Sequence, residues 1–331
     1  MTAVTDMTSM PAAARPASRK TPKATFDLVF RNASFLAALL VLVLLAGIML
    51  SMVIGGWPAF REFGLGFITS SVWDTQNDQY GAWPAIVGTL STALIALLIG
   101  VPLSLGIAIF LTQLAPPWFK KPVATAIELL AAVPSIIYGM WGLFVFAPLF
   151  AQYVQIPLSN IVEGMPVVGT ILYSRSPSGL GIFTAGIILA FMIVPFIASI
   201  TRDMLEQIPS VLRESAYGIG ATTWEVVRHV LVPQAGVSII GAIMLGLGRA
   251  LGETMAVLMI ISQGFLYSFL LLAAGQQQTI AANIAAQFPE ASDLGMSVLI
   301  ATGLALFVIT LVVNMSARAI VARRKDFSGA N

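Results

Sequence analysis

The sequence predicts an all-α chain folded as a polytopic membrane bundle with six transmembrane helices. Three observations carry that prediction. Of the 331 residues, 58% are hydrophobic and only 10% are charged, whereas a soluble domain carries about 25% charged residues. Long stretches without any charge recur along the chain: Arg31 to Arg61, Asp78 to Lys120, Glu128 to Glu163, Arg175 to Arg202, Arg228 to Arg249, Glu253 to Glu290 and Asp293 to Arg318. Basic residues gather in alternate connections between these stretches, the pattern that sets membrane orientation.

The elements follow in order. Each charge-free stretch houses an apolar helix of about 20 residues, enough to cross a hydrocarbon core of about 30 Å. Trimmed at polar residues and at Gly or Pro, the spans fall near 34–56, 84–113, 129–151, 179–200, 236–262 and 294–317. Only the fifth is completed across charges, Arg249 and Glu253. Residues 1–30, rich in Ala, Thr, Pro and Ser, read as a disordered cytoplasmic tail. The run after them is about 22 apolar residues, longer than the core of a cleaved signal peptide. The membrane domain is expected over 31–325, with a short tail over 326–331. Pro122 to Val133 predicts a helix along the inner surface, and Pro134 a bend into the third span. Pro102, Pro148 and Pro195 predict kinks of the kind that membrane bundles tolerate. Phe265–Ala274 is too short to span and reads as re-entrant or interfacial. It leads into Gln276, Gln277, Gln278, Asn283 and Gln287, a polar loop.

The basic residues orient the bundle. Of the 17, 14 lie before the first span, after the second, between the fourth and fifth, or after the sixth. Only Arg61 and Arg175 lie in the opposite loops. The chain is therefore expected in the cell membrane with both termini cytoplasmic. Trp57–Trp83, Glu163–Ser178 and Gln263–Glu290 are then outside, with Trp57, Trp73 and Trp83 as interfacial anchors.

Composition also excludes chemistry. There is no cysteine and one histidine, His229. Disulfides, thiolate or multi-His metal sites and His-based charge relay are out, so no catalytic residue, metal or cofactor is expected. A net charge of +2 gives no footprint for nucleic acid. An ion-gradient-driven secondary transporter would show an internal repeat, and none is visible. A membrane-embedded enzyme would need a cluster of His, Asp or Cys at membrane depth, where only Arg249 and Glu253 lie.

The loop from 201 to 234 is long for a connection. Pro209-Ser210 starts a helix there, with Ser210 as its cap. Gly218 and Gly220 allow a sharp turn. Thr222 or Thr223 caps a second helix with Glu225 in its first turn, and Pro233 ends it. Within this loop Glu214-Ser215-Ala216 is followed by three residues, Gly220, nine residues and Val230-Leu231-Val232-Pro233. No Walker A pattern occurs in the chain.

The fifth span carries Gly248-Arg249-Ala250-Leu251-Gly252-Glu253. An intramembrane Arg costs about 2.5–3.5 kcal/mol on insertion scales. The i,i+4 spacing puts Arg249 and Glu253 on one face of a continuous helix, within reach of each other. Two readings stand: a structural ion pair that fixes packing, and an anion contact in which the guanidinium fork meets oxyanion oxygens. Gly248 and Gly252 form a small-xxx-small pattern that lets a neighbouring helix approach.

These motifs resemble a known family. The spacing from Glu214 through Ala216 and Gly220 to Pro233 is similar to the EAA loop of importer-type ABC permeases, with Ser215, Val230 and Val232 as departures. Residues 248–259, GRALGETMAVLM, and 128–143, ELLAAVPSIIYGMWGL, resemble phosphate ABC permeases of the Pst system, in layout its C-type subunits. The resemblance covers roughly 30–325. It implies the type I importer permease fold and inward passage of inorganic phosphate, with Arg249 and Glu253 serving translocation and no catalysis in this chain. It implies that Glu214, Ala216, Gly220 and Pro233 couple to a separate ATPase subunit in two copies. A second, related permease and an extracytoplasmic phosphate-binding protein complete the expected assembly. A permease of this architecture for another oxyanion, such as sulfate, molybdate or tungstate, remains the alternative.

Overall fold

A computed structural model of the chain describes residues 23–165, 173–174, 177–261, 264, 271–272, 275 and 277–325. It divides into two units, one up to Ser51 and one from Met52. The first holds the opening part of helix α1 (Lys23–Phe63). From Phe26 its side chains are exposed and largely apolar. Residues 23–30 are thus helical rather than part of a tail. Phe26, Leu28, Val29 and Phe30 extend the apolar run to the N-terminal side, and no Gly or Pro stands between Lys23 and Ala46 to stop propagation. Residues 1–22 and the expected tail at 326–331 lie outside the described residues.

The second unit opens with the end of α1, a short α2 (Gly66–Thr69) and a two-stranded hairpin, β1 (Trp73–Asp74) with β2 (Gln79–Tyr80), registered Trp73 to Tyr80. Helices α3 (Trp83–Ile109), α4 (Pro117–Ala131), α5 (Ser135–Trp141), α6 (Ala147–Phe150) and α7 (Ile156–Val162) follow. Then come α8 (Ile182–Glu206), α9 (Ser210–Gly218), α10 (Thr223–Val226), α11 (Val232–Leu251), α12 (Met255–Ile260), α13 (Ile280–Gln287) and α14 (Asp293–Lys325). Among the described residues six helical runs are long and apolar enough to cross a membrane: Phe26–Phe63, Trp83–Leu114, Ser135–Val162, Ile182–Glu206, Thr223–Leu251 and Asp293–Ala319. They answer the six expected spans in order. The bend at Pro134 is present, and it moves the third span from 129–151 to Ser135–Val162. Pro134 takes extended backbone and α5 begins after it; the proline offers no N–H to the turn before it and disfavours helical backbone at Val133.

Helix α8 is the centre of the second unit, with 72% of its most apolar window buried. It packs on α3, α11 and α4. Its large side chains Ile188, Leu189, Met192, Ile193 and Ile197 meet small residues of the neighbours, Ala93 and Ala96 of α3 and Ala242 and Ala250 of α11. That large-into-small match is what allows close helix approach in a bilayer, where no hydrophobic effect draws helices together. Ser104 of α3 donates across the interface to the carbonyl of Val194 at 3.2 Å. A second cluster gathers Ala59, Phe67, Tyr80, Ala85, Ile280 and Val298 beside the hairpin. A third gathers Ala108, Leu205, Ile208, Val226 and Leu231 beside the 201–234 loop.

The segment expected to be a polar loop after Gln276 is instead mostly interior. Gln277, Gln278 and Asn283 are buried, and the Thr279 hydroxyl accepts from the Ala282 N–H at 3.3 Å to cap α13. The 277–279 stretch is drawn in because Gln278 runs against Gly88 of α3, where only a residue without a side chain leaves room: an added Cβ would stand 2.2 Å from the Gln278 carbonyl oxygen. Most of Phe265–Ala274, Gln276 and Arg175 lie outside the described residues.

Candidate translocation and coupling sites

The 201–234 loop forms the expected helix–turn–helix. Helix α9 begins at Ser210, but the residue at the N-cap position is Pro209 and no side chain caps it. Ser210 is already the first helical residue, because Pro209 holds the extended backbone that precedes a helix. The turn is closed from behind: Gly220 N–H donates to the Tyr217 carbonyl at 3.0 Å and Ala221 N–H to the Ala216 carbonyl at 3.1 Å. Gly220 has φ +88, a region that L side chains rarely enter. A Cβ there would meet nothing within 4 Å, so the requirement is conformational and not a close contact. Thr222 then makes a full capping box: its hydroxyl accepts from Glu225 N–H at 3.4 Å, and its own N–H donates to Glu225 Oε2 at 2.8 Å.

Pro233 does not end the second helix. Helical backbone runs unbroken from Thr223 to Leu251. The turn Val227–Leu231 is π-helical and Val232 N–H donates to the Val227 carbonyl. That wide turn shifts the register just before the proline, which removes the need for its missing N–H.

Glu214 is exposed and Ala216 packs on the third cluster. Large apolar side chains also stand on the loop's outer surface. Ile219 is 88% exposed, and Val211, Trp224, Leu212 and Tyr217 are also exposed. Five large apolar side chains on one short hairpin form the kind of patch that marks a protein contact.

The fifth span breaks where its charges lie. Helix α11 ends at Leu251, Gly252 has φ −95, and α12 restarts only at Met255. Arg249 and Glu253 are therefore not on one continuous helix face. Gly252, with the lowest helix propensity after proline, stands at the point of rupture. Among the described residues the two make no ion pair; Arg202 with Glu128 and with Asp203 supplies the ion pairs there. Glu253 Oε1 instead accepts from the Ala256 N–H at 3.2 Å, holding the first turn of α12. The Arg249 guanidinium carbon sits over the Phe196 ring, 5.9 Å from its centroid. Arg249 is 16 residues beyond Pro233, about 24 Å along the axis at ~1.5 Å per residue.

Among the described residues no neighbouring helix uses the small-xxx-small pattern. Nothing stands within 4 Å of a Cβ at Gly248, and only the Gly248 carbonyl does so at Gly252. Close approach falls on Gly246 instead, where a Cβ would meet Ile197 of α8 at 2.6 Å. Gly248 borders an open groove of about 960 Å³ between α8, α11 and α14, lined by Ile200, Met204, Met244, Leu245 and Asn314 among others.

The two separate motifs of residues 128–143 and 248–259 meet in space. Helix α5 lies on α12, and a Cβ on Gly139 would stand 2.8 Å from the Ala256 Cα. Sequence reasoning missed three residues around this region. Arg202 of α8 binds Glu128 of α4 at 2.8 Å, a pairing 74 residues apart that no local pattern signals. Phe196 was one aromatic among many apolar residues. Gln155 was one of several polar residues near the end of the third span, with Gln152 and Ser159 close by, and nothing local names its partners. At the hairpin, Asn77 Nδ2 and the N–H groups of Gln76 and Asn77 donate to Asp74, and these bonds hold its carboxyl below the usual range. Trp73 packs edge-on to Tyr80, ring centroids 5.2 Å apart, while Trp57 stands exposed at the end of α1.

The pattern of a family described as "Binding-protein-dependent transport system inner membrane component" matches residues 100–326. The chain is 50% identical over 301 residues to the phosphate transport system permease protein PstC of Haemophilus influenzae, covering 91% of this chain and 95% of that one. It is 47% identical over 324 residues to the PstC of Mesorhizobium japonicum, covering 96% and 98%. A PstC 1 of Mycobacterium tuberculosis is 38% identical, covering 82% and 86%. Among solved structures, a bacterial ABC transporter involved in the import of the acidic polysaccharide alginate superposes with TM-score 0.58 at 19% identity, covering 91% of this chain and 99% of that chain. The same transporter type in complex with an alginate pentasaccharide-bound periplasmic protein gives 0.58 at 19% identity, covering 90% and 97%. At that identity the likeness concerns the fold.

Proposed function

The chain belongs to the PstC phosphate transport permeases within the binding-protein-dependent inner membrane components, and from that premise we propose how its residues divide the work. It is the permease subunit of an ABC phosphate importer, a multi-pass membrane protein with the importer permease fold. The ATP-hydrolysing subunit is a separate chain, present in two copies. Its docking element is the hairpin α9–α10, where exposed Ile219, Val211 and Trp224 present the contact and Gly220 sets the turn. Ala216 packs that element on the bundle, Pro233 lies where it runs into the fifth span, and exposed Glu214 faces the ATPase. A second, related permease and an extracytoplasmic phosphate-binding protein complete the assembly. This chain itself performs no catalysis.

Arg249 is the phosphate contact. The observation that carries this reading is a guanidinium in the last turn of α11, at the break in an apolar span, with no carboxylate bound to it among the described residues. An ion in that position costs several kcal/mol unless compensated, and a structural ion pair would have placed Glu253 on it. Glu253 holds α12 at the helix break instead, and so keeps the two halves of the fifth span aligned around Arg249. Phosphate supplies the missing charge during passage, and guanidinium N–H donors suit its oxygens.

The test is uptake of labelled phosphate normalised to complex abundance. Arg249→Gln is expected to lower uptake by at least about 100-fold with normal assembly, since an anion in a low-dielectric passage would lose its counter-charge. Glu253→Gln is expected to impair uptake less, because a neutral amide oxygen still accepts from the Ala256 N–H. If the double variant Arg249→Leu with Glu253→Leu transports at the wild-type rate, the two residues serve packing and the reading fails.

A further inference from the structure

We propose that Phe196 is a positioning residue for Arg249, holding the guanidinium by its charge so that the N–H donors stay available to phosphate. This rests on the reading of Arg249 as the phosphate contact, and it deepens that reading by naming what holds the cation between transport events.

The argument begins with what Arg249 lacks. Among the described residues no hydrogen bond or ion pair engages its guanidinium. The nearby polar groups are committed elsewhere. Glu253 Oε1 accepts from the Ala256 N–H at 3.2 Å. The Tyr138 hydroxyl, on the helix packed against α12, donates to the Leu130 carbonyl at 2.9 Å. What remains is the Phe196 ring, 5.9 Å from centroid to guanidinium carbon, within the range of about 6 Å where a ring face attracts a cation.

The ring is itself well held. Phe196 lies on α8, the most buried helix, between Pro195 and Ile197, both buried. Its neighbour Ile197 belongs to the central cluster together with Ala242 and Ala250 of α11, which fixes the Phe196 backbone beside that helix. The ring is half-buried and the Arg249 side chain likewise.

Chemistry then favours an aromatic holder over an acidic one. A carboxylate grips a guanidinium through the same N–H donors that a phosphate needs. It would compete with the substrate and repel it. A ring face attracts the cation through its quadrupole and takes no N–H donor. Arg249 can then be fixed in place and still present its hydrogen-bonding edge to an anion.

The experiment compares variants at 196 in the assembled complex, with phosphate uptake read per complex. Phe196→Leu keeps apolar bulk and loses the ring; uptake is expected to fall about fivefold, the size of one partly desolvated cation–π contact. Phe196→Tyr and Phe196→Trp keep a ring face and are expected to retain most of the rate. The deciding series places phenylalanine with one, two and three ring fluorines at position 196. Fluorine weakens the face's attraction for a cation with little change in volume, so uptake should fall stepwise with fluorine number. A flat response across that series overturns the proposal, whatever Phe196→Leu does to folding. If the series is flat while Arg249→Gln is still inactive, only the positioning role is lost. If Arg249→Gln transports normally, the reading beneath it is lost as well.

Discussion

Gln155 shows how much one polar side chain can hold in an apolar helix. It is fully buried, its Nε2 donates to the Leu272 carbonyl, and its Oε1 accepts from the Gly179 N–H at 2.8 Å. It thereby satisfies two backbone groups in segments that belong to no regular ladder. Leaving a buried backbone group unpaired costs about 1–3 kcal/mol, and no water replaces the partner in an apolar interior. Gln155→Leu is therefore expected to lower the melting temperature of the purified protein in detergent by several degrees, and Gln155→Glu, which at neutral pH must bury a charge against the Leu272 carbonyl or take up a proton, should lower it at least as much. An unchanged melting temperature for the leucine variant would mean that the bridge contributes nothing. The sequence does not distinguish Gln155 from Gln152 three positions before it. Its partners, 24 and 117 positions away, follow only from the fold. The same limit explains Arg249: the residue was legible as an expensive charge, but its neighbour Phe196 on another helix was not.

Helices in this chain are punctuated by proline in a consistent way. Four π-helical turns, Phe110–Leu114, Gly142–Phe146, Ala151–Gln155 and Val227–Leu231, occur among the described residues. Each closes on the N–H of Ala115, Ala147, Ile156 or Val232, and each of those residues immediately precedes a proline. A proline cannot supply its own N–H, and its ring crowds the carbonyl four residues back. A wide turn before it relieves both. Reading Pro148 as a kink and Pro233 as a stop was therefore incomplete: both continue their helices, whereas the helix before Pro116 ends. The coupling hairpin was more legible because its signals are local. Gly220 at a turn and Thr222 with Glu225 three residues on each name a backbone geometry outright. Because a Cβ at Gly220 finds open space, a substitution there should act through backbone strain alone. Gly220→Val should uncouple the inserted protein from the ATPase, read as loss of co-purified ATPase and of transport-dependent ATP hydrolysis. Gly220→Asn, which tolerates positive φ better, should lose clearly less. Equal and complete loss in both would point to a contact with the partner instead of strain. Glu214→Lys reverses the charge on the exposed face of α9 and should weaken the same co-purification without lowering insertion.

At the scale of the whole molecule, the number and order of the spans were legible because composition alone dictates them: a helix of about 20 apolar residues has one stable location. What was not legible is what fills the gaps between spans. Helix α13 and the buried Gln277–Thr279 stretch looked like a surface loop, since a few polar residues outweigh an apolar neighbour such as Ile280 in a local reading. Orientation rests on the basic residues, 14 of 17 on one side, together with an even number of spans. The positive-inside rule predicts the hairpin at Trp73–Tyr80 outside and the α9–α10 hairpin inside. The chain contains no cysteine, so single cysteines can report sidedness without background. Asn77→Cys and Glu290→Cys, both at exposed positions, should react with a membrane-impermeant maleimide in intact cells or right-side-out vesicles. Lys121→Cys and Ser215→Cys, also exposed, should react only after the membrane is opened. The α1 end near Trp57 and the start of α14 at Asp293 would then share the outer side with the hairpin, which they already contact through Ala59, Tyr80 and Val298. Labelling of Ser215→Cys from outside would invert the bundle. It would also remove the coupling hairpin from any cytoplasmic ATPase, so one measurement tests both the orientation and the partner it is meant to face.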